Sequence, residues 1–245
     1  MKQVVWQNTI IKKDMILSMP KMPKRMFLTG CDEKTEWQLP WFLDNYWRHN
    51  KYIPIAIANF GMSESMANWI QHRRDKIFCV MNLNPDEKLK GWFLKPAALI
   101  SAPAMSTVWI DTDCEILSPL GQIFSLLQPN KLNMVVDRPW LKRRHEEWHN
   151  SGVVGIINKP EILHLWNKAV KANPKVGDQE VLHDMLNPIT KMTYINELPN
   201  EWNWLRLQIE HDDEDSPNKK IMHWTGEKGN DRIRGLIKVK EVMNA

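Results

Sequence analysis

The sequence predicts an α/β fold in which helices sandwich a mixed, mostly parallel β-sheet. Short apolar runs alternate with longer amphipathic segments, which is the pattern of successive βα units. One apolar run, 107–110, leads directly into two carboxylates, as in a strand that is buried on both faces and ends in polar chemistry. The composition, with 43% hydrophobic and 25% charged residues, is that of a globular protein.

The individual elements follow from apolar periodicity taken in chain order. Strands are predicted at 25–30, 52–60, 75–81, 107–110, 132–136 and 152–157. Helices are predicted at 36–50, 64–72, 92–102, 160–171 and 179–186. We expect a single domain over 25–230, preceded by an N-terminal extension over 1–24 and followed by a basic C-terminal tail over 231–245.

Cysteine usage and hydropathy predict a soluble protein of the cytoplasm, or of the host cytoplasm if the protein is viral. The three cysteines, Cys31, Cys79 and Cys114, lie far apart and are typical of reduced thiols. Charged residues interrupt 1–20, which argues against a secretory signal, and no apolar run reaches the roughly 18 residues of a membrane-spanning helix. The net charge of +4 permits a polyanionic partner without requiring one.

Asp111 and Asp113 form the strongest candidate site. Side chains two residues apart on an extended chain point the same way, so both carboxylates can reach one Mn²⁺ or Mg²⁺ ion, which in turn would bind a diphosphate. A solvated turn is the simpler alternative, but apolar residues follow the pair at 114–117. Haloacid-dehalogenase-like phosphatases also place Asp-x-Asp after an apolar strand, with a nucleophilic first Asp. In that class the motif usually opens the domain, whereas three predicted strands precede it here.

At this pair the sequence resembles nucleotide-sugar glycosyltransferases of the GT-A fold, particularly the retaining kind typified by bacterial lipopolysaccharide galactosyltransferases and glycogenin. Four short motifs in the family's order carry the resemblance, and they lie at 109–113, 149–153, 177–179 and 223–228. The resemblance covers roughly 25–230. It implies a GT-A domain, a nucleotide-sugar donor that is most simply a UDP-sugar, and a manganese or magnesium ion.

The resemblance also assigns roles to individual residues. It implies that His223 completes the metal site of Asp111 and Asp113. It further implies that Asp178 binds hydroxyl groups of the donor sugar and that Gln179 lies near the face of the anomeric carbon. Structural alternatives stay open, because Asp178 follows a glycine and can simply cap a helix, and a single histidine is often structural.

Several further residues are expected to bind the donor, and they are Thr29, Gly30, Asp32, Lys95, Thr112, Gly226 and Lys228. Backbone groups at the end of the first strand would contact the base, and a lysine would hold the diphosphate. The family lysine usually stands one position later, before Pro-Trp, whereas here Lys228 precedes Gly229 and Asn230. Arg232 or Arg234 is therefore an alternative partner for the diphosphate.

The residues expected on the acceptor side are Asn150, Ser151, Gly152 and Trp148. Their alternative role is an ordinary turn before a strand. A carbohydrate acceptor is what the resemblance implies by default. A basic cluster, made of Lys142, Arg143 and Arg144, lies between Trp140 and Trp148 and is also typical of a nucleic-acid-binding rim, although Glu146 and Glu147 partly neutralise it.

The basic cluster therefore leaves open a phage-type transferase that modifies a hydroxymethylated pyrimidine in DNA. A nucleic-acid-binding protein that has lost catalysis is a further alternative, which the intact acidic residues argue against. The sequence contains no obvious general base, and this favours a retaining transfer.

Overall fold

The computed structural model describes residues 22–83, 89, 91–174 and 176–243. The strands are β1 (Arg25–Cys31), β2 (Ile55–Asn59), β3 (Cys79–Asn82), β4 (Ser106–Ile110), β5 (Cys114–Ile116), β6 (Leu132–Val136), β7 (His149–Ile157), β8 (Ile195–Glu197), β9 (Trp204–Leu205) and β10 (Ile221–His223). The helices are α1 (Leu39–His49), α2 (Glu64–Gln71), α3 (Lys95–Ser101), α4 (Ile123–Leu126), α5 (Arg138–Arg144), α6 (Glu161–Ala172), α7 (Asp178–Asp184), α8 (Pro188–Tyr194), α9 (Arg206–Glu210) and α10 (Gly226–Met243).

A seven-stranded sheet in the order β3-β2-β1-β4-β7-β6-β8 forms the centre of the molecule. The first four strands are parallel, β7 is antiparallel to both of its neighbours, and β6 and β8 are parallel. A small second sheet has the order β5-β10-β9. The predicted mixed, mostly parallel α/β class is therefore confirmed. The antiparallel β7 matters for function, because its amino-terminal end meets the carboxyl end of β4.

Apolar side chains cover both faces of the large sheet. Along β1 the side chains alternate: Met26 and Leu28 pack on the face that holds Trp166 of α6, whereas Phe27 packs on the face that holds Phe42 of α1. A continuous apolar run is what a strand needs when helices cover both sides. This double burial holds the ends of the central strands in fixed positions, which is the requirement for a precise site at that edge.

The predicted elements are present, with shifted boundaries. The strand predicted at 75–81 begins only at Cys79, after a turn, and the helix predicted at 92–102 is a 3₁₀-helix, Gly91–Leu94, followed by α3. Helix α10 extends through the region predicted as a tail, up to Met243. Of the predicted N-terminal extension, residues 1–21 lie outside the described part of the chain. Among the described residues, no helix combines the length and apolar character that crossing a bilayer requires.

Candidate functional site

The site lies where the carboxyl end of β4 meets the beginning of β7. Asp111 follows β4 directly, and its backbone N–H donates to the Gly152 carbonyl at 2.9 Å. Ile110 is paired with Val153 in the antiparallel register. This pairing brings the predicted metal motif next to the predicted Asn-Ser-Gly segment, although about 40 residues separate them in sequence. A purely parallel sheet would have placed the two segments at opposite edges.

Asp113 and His223 are in direct contact. The Nε2 atom of His223 lies 3.1 Å from Asp113 Oδ1, and the N–H of Trp224 donates to the Asp113 carbonyl at 3.0 Å. His223 is only 4% exposed because β10 pairs with β5 in the small sheet. Burial lowers the pKa of His223, but the adjacent Asp113 more than offsets this effect, so the pKa lies above its ordinary value.

Asp111 occupies the inner side of the site. Its Oδ1 accepts a hydrogen bond from Trp109 Nε1 at 2.5 Å and lies 3.1 Å from Lys95 Nζ. Its side chain is 27% exposed, so part of the carboxylate still faces solvent. Burial raises the pKa of Asp111, Lys95 counteracts this shift, and the neighbouring Asp113 adds to it. Two carboxylates that repel each other in this way favour a bound cation.

Lys95 is 2% exposed and ties three parts of the site together. Besides Asp111, its ammonium lies 3.2 Å from Asp178 Oδ2 and donates to the Ser151 carbonyl at 2.9 Å. Burial alone would lower the pKa of Lys95. Asp111 and Asp178 together raise this pKa by more than burial lowers it, so it lies above its ordinary value. The protein itself thus surrounds this ammonium, and the predicted contact of Lys95 with the donor stays a prediction.

The residues present fit a hard divalent cation. Ligand atoms of Asp113, Cys114 and His223 lie within 4.8 Å of one another, and Asp111 borders this group. Burial, and then the adjacent Asp113, raises the pKa of Cys114 far above its ordinary value, and the carboxylate and imidazole atoms of the group are the ligand types that a hard cation prefers over a thiol. Such a set suits Mn²⁺ or Mg²⁺. Gly152 makes room for the imidazole, since a Cβ there would lie 2.1 Å from His223 Cε1.

A chain of buried amides extends from His223 into the protein. The Oδ1 of Asn203 lies 3.0 Å from His223 Nδ1, and Asn203 Nδ2 donates to Asn150 Oδ1 at 2.8 Å. Asn150 Nδ2 in turn donates to Asp137 Oδ2 at 3.2 Å, and Gln179 Nε2 donates to the same oxygen at 3.1 Å. The predicted residues Asn150 and Gln179 are therefore joined to the predicted metal ligand His223.

A cleft of about 200 Å³ opens beside the two carboxylates. Of the residues predicted to bind donor or metal, those that line it are Gly30, Asp32, Lys95, Asp111, Thr112 and Asp113. The Thr112 hydroxyl is used internally, because it donates to Gln38 Oε1 at 2.7 Å, and Gln38 Nε2 donates to Asn230 Oδ1 at 2.8 Å. Helix α10 is thereby attached to one wall of the cleft.

Asp32 of the cleft wall and the predicted donor residues outside the cleft differ in their surroundings. Asp32 Oδ1 accepts from the backbone N–H and the hydroxyl of Thr35, so this oxygen stabilises the turn after β1. Thr29 is fully buried within β1. Gly226 has a φ of +75° and begins α10, and Lys228 is exposed in the first turn of that helix. Their contacts with a donor stay predictions.

The predicted acceptor side is aromatic and partly basic. Trp148 is 7% exposed and stacks on His183, with ring centroids 3.9 Å apart, so little of its own ring is open to a sugar. Its neighbour Trp140 is half-buried and lies under the Arg144 guanidinium at 5.1 Å. Lys142, in contrast, is paired with Glu214 at 2.7 Å, and Arg143 is exposed. The pairing of Lys142 reduces the free positive charge of the basic cluster.

A larger groove, of about 520 Å³, lies elsewhere, at the amino-terminal ends of β2 and β3. Trp47, Tyr52 and Lys76 line it, together with neighbouring residues. Its size exceeds that of the cleft beside the carboxylates. We nevertheless assign the site by chemistry, because ligands of open α/β sheets bind at the carboxyl ends of the strands and the buried ionic groups lie there.

Sequence reasoning missed two residues of the buried network, Asp137 and Asn203. The sequence did contain a signal for Asp137, because it follows the strand-like run 132–136 and precedes Pro139. A polar residue in this position is typical of a helix N-cap, and Asp137 does cap α5. Asn203 lies between a 3₁₀-helix, Asn200–Trp202, and the two-residue strand β9, so no periodicity identifies it.

No protein-family model matches the sequence, and no curated protein matches it. Solved structures do match. The glycosyltransferase GlyE of Streptococcus pneumoniae TIGR4 aligns over 83% of this chain and 56% of its own, with 16% identity and a TM-score of 0.62. The galactosyltransferase LgtC, in complex with donor and acceptor sugar analogs, aligns over 86% and 94%, with 14% identity and a TM-score of 0.58. Mouse xyloside xylosyltransferase 1 aligns over 83% and 98%, with 13% identity and a TM-score of 0.55.

These similarities identify the fold. The chain has the GT-A fold of nucleotide-sugar glycosyltransferases, as the four motifs predicted. It spans little more than half of the GlyE chain but nearly the whole of the LgtC and mouse chains. At these levels of identity, activity has to be argued from the residues of the site.

Proposed function

We propose that this protein is a metal-dependent glycosyltransferase that moves a sugar from a nucleoside-diphosphate sugar, most simply a UDP-sugar, to an acceptor hydroxyl. The observation that carries the proposal is the 3.1 Å contact between His223 and Asp113 beside Asp111, at the carboxyl end of β4. A Mn²⁺ or Mg²⁺ ion held by these three residues would act as a Lewis acid toward the diphosphate leaving group. The cleft beside them is the proposed donor site.

Asp178 is the proposed ligand of the donor sugar. It is buried, and its Oδ2 lies 3.2 Å from the Lys95 ammonium, which also contacts Asp111 and so fixes the position of the carboxylate. A carboxylate oxygen has two lone pairs, so one held in this way can still accept a hydrogen bond from a sugar hydroxyl. Gln179 begins the same helix, and the N–H of Ser151 donates to its Oε1 at 3.1 Å, which fixes the side chain.

The proposed transfer keeps the configuration of the anomeric carbon. The acceptor hydroxyl oxygen forms a bond to the anomeric carbon while the bond between that carbon and the β-phosphate oxygen breaks. The departing phosphate takes the proton of the hydroxyl group. Asp111 and Asp178 are both paired with Lys95, and Asp113 contacts His223, so none of them is free to act as a base. The fixed site orients the two reactants.

A carbohydrate is the proposed acceptor, and LgtC, which shares the fold, was solved with donor and acceptor sugar analogs. DNA with hydroxymethylated pyrimidines is the second candidate. Arg143 is exposed and Arg144 lies over Trp140, which supports a nucleic-acid rim, while the pairing of Lys142 with Glu214 weakens it.

Product mass spectrometry tests the proposal. The protein is incubated with a panel of nucleoside-diphosphate sugars, with and without MnCl₂, and with simple glycosides or hydroxymethylated DNA as acceptors. We expect one donor to give a glycosylated product only when metal is present. Asp113→Asn removes a charged ligand and should reduce the rate by at least about 100-fold.

Asp184→Asn, at an exposed position of α7, is the matched control and should retain full activity. Phosphate release from a simple phosphomonoester without sugar transfer would instead indicate the phosphatase alternative. Absence of product with every donor, or full activity of Asp113→Asn, would overturn the proposed function.

A further inference from the structure

We infer that Asp137 is a positioning residue that fixes the imidazole tautomer of His223 through Asn150 and Asn203. The inference rests on the proposed function, in which His223 Nε2 is a metal ligand. All four side chains are at most 8% exposed, so water does not supply alternative partners easily. Asp137 itself lies at the carboxyl end of β6, three hydrogen bonds away from the imidazole.

Backbone donors determine the orientation of two amides in this network. The N–H of Gly152 donates to Asn150 Oδ1 at 2.9 Å, and the N–H of Ser151 donates to Gln179 Oε1 at 3.1 Å. A backbone N–H cannot accept, so both amide oxygens must face the backbone. The NH₂ groups of Asn150 and Gln179 consequently face Asp137 Oδ2, and a carboxylate is the group that accepts from both.

The same reasoning continues to the imidazole. Since Asn150 presents its oxygen to Asn203, Asn203 must present its NH₂ group there and turn its own Oδ1 toward His223 Nδ1. An amide oxygen only accepts, so Nδ1 carries a proton in this contact. The Asp113 carboxylate, 3.1 Å from Nε2, also only accepts and holds a second proton there when no metal is bound. A cation bound beside Asp113 would take the Nε2 lone pair instead and leave the Nδ1–H to Asn203.

Asp137 also connects this arm to Gln179. Its Oδ1 caps helix α5 by accepting from Trp140 N at 3.1 Å, while its Oδ2 accepts from both amides. One carboxylate therefore holds the proposed metal ligand and the residue expected near the anomeric carbon in a fixed relation. Partners of this kind behind a ligating histidine typically change metal affinity by about 10- to 100-fold when removed.

Two substitutions of Asp137 distinguish its capping of helix α5 from its role in the buried hydrogen-bond network. Asp137→Ser keeps an acceptor for the helix cap but removes Oδ2, and Asp137→Asn presents an amide NH₂ to two other NH₂ groups. We expect both to weaken Mn²⁺ binding by about 10- to 100-fold in calorimetry. Long-range ¹H–¹⁵N spectra of the Mg²⁺-loaded protein should show the Nδ1–H tautomer of His223 in the wild type and a growing Nε2–H population in Asp137→Asn.

Asn203→Leu removes the direct acceptor of His223 Nδ1 and provides an independent test if the Asp137 variants fail to fold. Asn187→Ala, which removes the exposed cap of α8, is the control and should leave both readouts unchanged. The His223→Gln spectrum identifies the His223 signals. An unchanged tautomer together with Mn²⁺ affinities within about twofold of wild type in the folded variants would overturn the inference. Failure of the wild type to bind Mn²⁺ would overturn the proposed function and the inference with it, whereas wild-type binding matched by every folded variant would overturn the inference alone.

Discussion

Lys95 is the buried cation that joins Asp111 of the proposed metal site to Asp178 of the proposed donor site. Lys95→Met would leave the buried Asp178 and the half-buried Asp111 without their counter-ion. Because breaking a buried ion pair from one side typically costs about 3–5 kcal/mol, we expect the free energy of unfolding to fall by about that amount. Urea denaturation followed by circular dichroism measures this change.

Lys228→Met provides the matched comparison, since Lys228 is exposed in the first turn of α10. It should change the free energy of unfolding by no more than about 0.5 kcal/mol. A Lys95→Met protein with wild-type stability would contradict the role given to the buried ammonium.

His149 determines part of the pH dependence of stability. Burial lowers its pKa, and Glu197 at 3.4 Å offsets this shift only in part, so the native protein holds a neutral imidazole. The unfolded chain binds the additional proton more readily. The stabilisation is therefore complete above about pH 6.5, the unfolded value, and is lost as the pH falls toward the native pKa.

We expect His149→Asn to flatten the dependence of the unfolding free energy on pH below about 6.5. His164→Asn, at an exposed position of α6, is the control and should leave the slope as in the wild type. Besides Glu197, the charged groups near His149 are Glu147 and Lys191. An unchanged slope in His149→Asn would show that its imidazole is not held neutral by the fold.

At the residue scale, the sequence singled out candidate site residues where a polar side chain directly follows an apolar strand. The expected extended chain through Asp111 and Asp113 was wrong in detail: β4 ends at Ile110, and residues 112–113 form a turn in which the Cys114 N–H donates to the Asp111 carbonyl at 3.2 Å. The turn carries Asp113 into contact with His223. The sequence did not predict that the protein itself would surround Lys95. That arrangement depends on three segments, around Asp111, Ser151 and Asp178, which only the tertiary fold brings together.

Two of the three glycines in helix α10, Gly229 and Gly235, have opposite roles. A Cβ at Gly229 would lie 1.9 Å from the Trp224 carbonyl oxygen, whereas Gly235 has no neighbour within 4 Å. Gly229→Ala should therefore displace the first turn of the helix and lower the melting temperature. Gly235→Ala should raise the free energy of unfolding by about 0.5–1 kcal/mol, since alanine is the better helix former.

Thermal denaturation of the two variants tests this contrast within one helix. The account of the helix start would be wrong if Gly229→Ala proved as stable as Gly235→Ala. Because Asn230 of the same turn is bonded to Gln38 beside the cleft, Gly229→Ala should also weaken donor binding.

At the element scale, the strands of the large sheet were predictable because double burial demands continuous apolar runs. The shortest elements were not predictable. The strand β8 and the helix α9 have three and five residues, too few for a periodic signal. The direction of β7 was also not predictable, because apolar runs do not record whether a strand runs parallel or antiparallel, and yet this direction brings Asn150 to the site.

Ligand binding should stabilise the whole protein. If Mn²⁺ and a nucleoside diphosphate bind only the native state, the free energy of unfolding rises by about 2.7 kcal/mol when the ligand is at 100 times its Kd. We expect a corresponding increase in melting temperature for the wild type with both ligands together. Asp113→Asn should show no such increase, whereas Asp184→Asn should respond like the wild type. Equal responses in the two variants would place the binding site elsewhere.

For the molecule as a whole, the fold class was predictable even though the three solved structures compared above are only 13–16% identical to this chain. Apolar patterning and a few polar positions at strand ends specify this architecture, and most other positions are free to vary. The acceptor was not predictable, because the exposure of Trp148, which was expected on the acceptor side, depends on its packing against Trp140 and His183.

The central claim is that Asp111, Asp113 and His223 hold a divalent cation that binds a nucleoside diphosphate. A crystal structure with MnCl₂ and UDP, with data collected at the manganese absorption edge, tests this claim most directly. The account predicts an anomalous peak in contact with Asp113 and His223, with the diphosphate bound to the same ion in the cleft. Density for UDP without an anomalous peak at these side chains, or a peak at another position, would contradict it.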